Sequence, residues 1–436
     1  MPQAPLSFLS TAAGTWTLAF VLVLCASLCW HTWLLLRQIR HVARHRHAVP
    51  DAFASRVDLT AHQKAADYTI ARARLGLLHG AWDSAILVGW TLLGGLSALH
   101  QLTVVNIDAG LAQQLTLLVA FALIGSALDL PWSWYQTFRL EQRFGFNTST
   151  LSLWLSDLVK SALLGALIGL PLAALVLWLM AATGTHWWLW AWGAWATFNL
   201  LALLIYPLWI APLFNRFTPL ADEALRERLQ TLLQRCGFAA KGLFVMDGSR
   251  RSAHGNAYFT GFGASRRVVL FDTLLTKLSP AQIEAVLAHE LGHFHHRHVV
   301  QRIVLLMALS LLGFAVLGWV GNQAWFYQGL GVDVGGLPGN AALTLLLFGL
   351  VLPVFTPWLT PIFAQWSRRH EFQADAYAAS VTRAEDLASA LLQLYQDNAS
   401  TLTPDPLYMR VTYSHPAATE RLQHLQTLST PLSTAA

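Results

Sequence analysis

Residues 289–320 read HELGHFHHRHVVQRIVLLMALSLLGFAVLGWV. On a helix, His289 and His293 share one face with Glu290 beside the first, which is the minimal set for a zinc-dependent peptidase. Beyond Arg302 the stretch turns apolar from Ile303 to Val320, long enough to cross a bilayer. The predicted metal helix therefore stands at a membrane surface. In a chain with 17 His, three fixed positions of this kind arise by chance roughly once in a hundred such sequences. The motif directs the reading, and the rest of the chain has to agree with it.

The composition does agree. Of 436 residues 55% are hydrophobic, 12% are charged and 19 are Trp, which suits a polytopic membrane protein better than two or three soluble domains. Seven apolar runs are predicted to span: Gly14 to Leu36, Leu75 to Leu99, Leu111 to Leu130, Ser161 to Leu179, Trp187 to Pro212, Ile303 to Val320 and Ala341 to Phe363. With the N-terminus outside, all 28 Lys and Arg fall on one side. The opposite connections, His100 to Gly110, Met180 to His186 and Gly321 to Asn340, contain none, nor does the segment before Arg37. The positive-inside bias makes the cationic side cytoplasmic, with the metal helix and the C-terminus on it.

Arg37, Arg40, Arg44 and Arg46 follow the first run, whereas a secretory signal places its basic residues in front. This predicts an uncleaved span. The net charge of +5 calls for no nucleic-acid partner, because a basic face against anionic lipid accounts for it. Cys25, Cys29 and Cys236 suggest packing rather than a disulfide scaffold.

The main hydrophilic block runs from Asn215 to Arg302. Asp222 to Arg235 is predicted as an amphipathic helix with Leu225, Leu229, Leu232 and Leu233 on its apolar face. Gly242 to Met246 reads as a strand, and Ala257 to Phe262 with Val268 to Phe271 reads as a β-hairpin leading into the metal helix. The expected architecture is a mainly α, polytopic membrane protein with seven transmembrane helices and a small cytoplasmic α+β metallopeptidase region. Its divisions are a five-span region (1–214), the cytoplasmic hairpin and metal helix (215–302), spans six and seven (303–363) and a C-terminal helical region (364–436).

Catalytic zinc keeps three protein ligands and leaves one position for water. Position 299 is Val, which excludes the long signature with a third His. A Glu on a later helix is the other common solution. Glu371 is the best placed, with Glu385 and Glu420 as rivals, and Asp375 lies one turn beyond Glu371, where it can orient a ligating imidazole.

At this point the chain resembles the integral-membrane CAAX prenyl proteases of type I, seven-span zinc endopeptidases of the gluzincin kind. The resemblance rests on Leu130-Pro131 through Gly145-Phe146-Asn147, and on Ala211-Pro212-Leu213-Phe214-Asn215 through Pro219-Leu220. It continues in Gly255-Asn256-Ala257-Tyr258-Phe259-Thr260-Gly261 and Val269-Leu270-Phe271-Asp272-Thr273-Leu274-Leu275. Glu371-Phe372-Gln373-Ala374-Asp375, Ser414-His415-Pro416 and Glu420-Arg421-Leu422 complete it, in the family's order and spacing. It implies one Zn2+ per chain on His289, His293 and Glu371, a water-filled chamber among the seven helices, and His415 and Arg421 near the reacting carbonyl. His79 and Asp83, one turn apart in the second span, would face that chamber, since an ionisable pair facing lipid is costly.

Zinc chemistry of this kind uses Glu290 as general base and proton carrier. An extended peptide is expected to add as a strand along Asn256, Ala257 and Tyr258, with the Asn256 amide as a further contact. His295, His296 and His298 are read as surface or membrane-interface residues, and His254 as a loop residue. The expected partner is a peptide or membrane-protein substrate, prenylated at a CAAX end by resemblance. A broader quality-control protease is the alternative within the class, and a transporter or scaffold with a structural metal is the alternative outside it. Against the latter, no inverted halves are visible, no Cys lies near the motif to close a fourth ligand position, and a structural metal has no need of Glu290.

Overall fold

The computed structural model of the chain describes residues 10–238, 242–260, 267–333 and 340–429. Helix α1 (Ala12–His45) is capped by Thr11, whose hydroxyl accepts from Gly14 N at 3.1 Å. Helix α2 (Leu59–Trp90) starts at the Asp58 cap and breaks at Thr91, and α3 (Gly95–Asn106) continues at an angle of 48°. The second span is therefore bent and runs past Leu99 to Asn106, where a straight run ending at Leu99 was expected. Uniform apolarity carries no sign of a bend. The break needs Gly94 at φ +76°, and Thr91, Leu93 and Gly94 N–H groups each find a carbonyl within 3.0 Å, as backbone in a hydrocarbon setting must.

Next come α4 (Leu111–Tyr135), extended through a π-turn to Phe144, α5 (Leu151–Ala182) and α6 (Trp187–Ile205). Among the described residues six helices are long and apolar enough to cross a membrane, and the bent pair makes a seventh. Their outward faces carry Leu163, Leu167 and Trp209 at 65%, 73% and 75% exposure, a lipid-facing surface that water would not tolerate.

The hydrophilic block folds as expected and adds one strand. Strands β1 (Phe217–Pro219), β2 (Leu243–Met246), β3 (Ala257–Thr260) and β4 (Arg267–Phe271) form a sheet ordered β1-β2-β4-β3. β3 and β4 pair antiparallel, Ala257 opposite Leu270, so β3 is an edge strand. Gly261, Phe262 and the hairpin turn at 263–266 lie outside the described residues. Helix α7 (Glu223–Arg235) buries the four predicted leucines.

The metal helix α8 (Pro280–His295) opens with a Ser279/Gln282 capping box and Pro280 in its first turn. Arg297, at φ 56°, turns the chain into span six, α9 (His298–Val320). Span seven, α10 (Ala341–Phe355), leads through a 3-10 turn into α11 (Thr360–Val381) and then α12 (Ala384–Asp397), α13 (Pro406–Thr412) and α14 (Ala418–Ser429). One core joins Leu229, Leu270 and Leu287 to Ala378, Leu387 and Leu425. The segments on either side of spans six and seven thus pack as one unit. Arg37, at the end of the first span, ties that unit down by two hydrogen bonds to Asp405, at 3.1 and 3.0 Å.

Candidate metal centre

Helices α8 and α11 cross where Gly292 meets Ala374. A Cβ on Gly292 would lie 2.8 Å from Ala374 Cα, so only glycine permits this approach. The crossing sets Glu371 against the two imidazoles. Glu371 Oε2 lies 3.4 Å from His289 Nε2, and Oε1 lies 3.4 Å from His293 Nε2. One donor atom from each of the three residues falls within 4.8 Å of the others.

These residues fit a metal. Two imidazole nitrogens and one carboxylate are a donor set that zinc takes, and their mutual separations, all within 4.8 Å, leave room for one ion between them. Glu371 is 2% exposed, and its Oε2 has no hydrogen-bond partner among the described residues. Burying a carboxylate oxygen outside any hydrogen bond is costly, and a metal ion would add to the partial compensation that Arg421 gives it from 3.5 Å. Burial and Arg421 press His289 down, yet Asp375 and Glu371 outweigh both and raise it to about 9. Burial likewise pushes Glu371 up, but the two histidines hold it well below the usual carboxylate range.

Behind the donors lies a layer that fixes them. Asp375 Oδ1 stands 2.9 Å from His289 Nδ1, which accepting the Nδ1 proton would leave Nε2 free for a metal. Asp375 is fully buried and is gripped by both Nε and Nη2 of Arg421. Arg421 also approaches Glu371 Oε2 at 3.5 Å. Arg421 thus stands behind Glu371 and His289, held by Asp375, with its edge on the adjoining cavity.

His293 has a partner that was not anticipated. His298 Nδ1 lies 2.9 Å from His293 Nδ1, and His298 Nε2 lies 2.8 Å from Gln373 Oε1. Gln373 Oε1 accepts from Nε2–H, so His298 Nδ1 is left to accept from His293. His298 is 1% exposed and stacks on His370 at 3.8 Å between ring centroids. The surface reading of His298 is therefore wrong. Helical spacing alone does not foresee it, because the left-handed Arg297 breaks the helix and swings His298 back under His293. His295 does stay exposed, stacking on Tyr377.

Glu290 is free for chemistry. No hydrogen bond engages its carboxylate among the described residues, and burial raises its pKa against the opposing pull of His289 and His293. His415 Nε2 points at Glu371 Oε1 from 3.4 Å, while Ser414 Oγ lies 2.9 Å from its Nδ1. With Ser414 donating, the proton sits on the nitrogen that faces the site. The rivals are elsewhere: Glu420 pairs with Arg368, and Glu385 with Arg383 at an exposed helix start.

On β3, Ala257 faces the core, Tyr258 Oη turns to Met246 Sδ, and Asn256 Oδ1 accepts from Ala257 N at 2.8 Å. The Tyr258 side chain is thus turned to the sheet's own Met246, while β3 keeps one backbone edge unpaired by the described strands. His254 is held between Asn398 at 3.0 Å and Glu141 at 3.7 Å, more firmly than a loop residue. In the second span His79 bridges Asp83 at 3.4 Å and Asp129 at 3.2 Å. It lines a cavity of about 480 Å³ with Asp129 and Arg72. A larger cavity of about 700 Å³ reaches the metal centre at Asn256, His415 and Arg421.

Residues 38–216 match the family described as CAAX prenyl protease N-terminal, five membrane helices, and residues 219–429 match peptidase family M48. The CAAX prenyl protease 1 of Saccharomyces cerevisiae is 32% identical over 93% of this chain and 94% of its own. The CAAX prenyl protease 1 homolog of Homo sapiens is 30% identical over 92% and 93%. The crystal structure of S. mikatae Ste24p superposes with a TM-score of 0.88 at 32% identity, covering 94% of this chain and 99% of that one.

Proposed function

The chain belongs to the CAAX prenyl protease 1 family of M48 peptidases and is an integral-membrane metalloendopeptidase, and from that premise we propose how this chain's residues carry out the cleavage and on what. The metal is zinc, one per chain, held by His289, His293 and Glu371. The substrate is a peptide or protein C-terminus, prenylated as the relatives' names imply, entering from the membrane. The observation that carries this reading is the convergence of two imidazoles and a buried carboxylate, one oxygen of which is outside any hydrogen bond among the described residues, beside the uncommitted Glu290.

When bound, zinc supplies Lewis acidity toward water and the scissile carbonyl. Everything else falls to the chain. Asp375 and His298 hold the two imidazoles with their Nε2 atoms turned inward. Glu290, raised by burial, takes a proton from the attacking water and returns it to the leaving amine. His415 Nε2–H is positioned to donate to the oxygen on which charge develops, and Arg421 keeps Asp375 in place. The free edge of β3 from Asn256 to Tyr258 binds the peptide backbone.

Because the cations fall on one side of the spans, the N-terminus is assigned to the outside and the centre to the cytoplasm. Residues 215–302 and 364–436 act as one catalytic unit, with 1–214 and 303–363 as its membrane housing. Full-length protein purified in detergent should hold one zinc and cleave a farnesylated C-terminal peptide faster than its unmodified counterpart, with cleavage lost to a chelator and restored by zinc. Equal rates on the two peptides would remove the prenyl group from the proposal, and chelator-insensitive cleavage would remove the metal.

A further inference from the structure

The 700 Å³ cavity beside the metal centre has an unbalanced lining: Arg72, Arg421, His31 and His415 face it, and no Asp or Glu does. Arg421 is already committed to Asp375 and Glu371. Arg72 is not. Among the described residues no carboxylate lies within ion-pair distance of it, and its guanidinium packs 5.5 Å from the centre of the Tyr68 ring. Glu141, which shares its field, is occupied by Tyr68 Oη at 2.8 Å. A guanidinium with no ion pair of its own, at a cavity lined by no carboxylate, favours an anion that can take its planar fork.

The position of β3 indicates which anion arrives. This strand is at the sheet edge, and Gly255 and Asn256 at its beginning line the same cavity. A peptide added antiparallel to β3 runs with its carboxyl end toward Gly255 and Asn256, and so into the chamber that Arg72 faces. A volume of about 700 Å³ accommodates a short peptide end, since ligand pockets are typically about 300–1,000 Å³. We infer that Arg72 receives the free α-carboxylate of the substrate's C-terminus. The inference rests on the peptidase reading and adds a residue that holds the chain end.

The test uses the zinc-loaded, full-length protein and two peptides of one sequence, one ending in a carboxylate and the other in a carboxamide. The wild type should favour the acid by roughly 10- to 100-fold in kcat/KM, the size of one charge-assisted bidentate contact, with the difference carried in KM. In Arg72→Gln the acid-to-amide ratio should fall toward one. Arg72→Lys keeps the charge without the fork and should give an intermediate ratio, which serves if the glutamine variant does not fold. A wild type indifferent to the end group, or an Arg72 variant that keeps the wild-type ratio, overturns the inference while leaving the peptidase reading standing. Cleavage of neither peptide by the wild type sinks both.

Discussion

At the residue scale, the centre has an inner set of donors and an outer set that orients them, and the two were unequally legible. His289, Glu290 and His293 stand out by helical spacing alone, whereas Glu371 with Asp375 stands among the rivals Glu385 and Glu420 until the family resemblance favours it. His298 was not legible, because its approach depends on the left-handed Arg297 and on Gln373, which arrives from 75 residues away. Two predictions belong here. Glu290→Gln should retain metal but lose roughly 10²- to 10⁴-fold in turnover, and near-normal cleavage by a metal-loaded variant would remove Glu290 from proton transfer. His298→Ala and Asp375→Asn, each releasing one imidazole, should weaken zinc binding by about 10- to 100-fold in titrations against a competing chelator. Unchanged affinity in a folded variant would make either residue a packing element only.

The element scale is governed by close crossings and breaks. Hydrophobic alternation located β2, β3 and β4, whereas β1 spans only Phe217–Pro219 and is too short to announce itself. The bend at Thr91–Gly94 is hidden in continuous apolarity. The Gly292–Ala374 contact was likewise invisible, since nothing in the sequence says which helix a glycine will face. It carries the sharpest consequence: Gly292→Ala adds a methyl with nowhere to go but into Ala374. The expected cost is about 1–3 kcal/mol of overpacking, with Glu371 displaced from the imidazoles and zinc affinity reduced along with thermal stability. A variant with wild-type zinc affinity would show that the two helices can part without moving the ligand.

Over the whole molecule, two crossings separate His293 from Glu371, so an even number of spans between them is a chemical requirement as well as an inference from charge. Single cysteines at exposed positions in 107–110 and 322–333 should react with an impermeant reagent applied outside, and one near Ser429 only after lysis. Labelling of the 322–333 segment from the cytoplasmic side would break the topology. The central claim is that stretches on either side of a membrane hairpin close one metal site, and zinc stoichiometry of purified full-length protein addresses it directly. Wild type should carry one zinc per chain, and Glu371→Ala, folded by its thermal transition, should lose it on dialysis against a mild chelator. A folded Glu371→Ala protein that still holds one tightly bound zinc per chain would contradict the account.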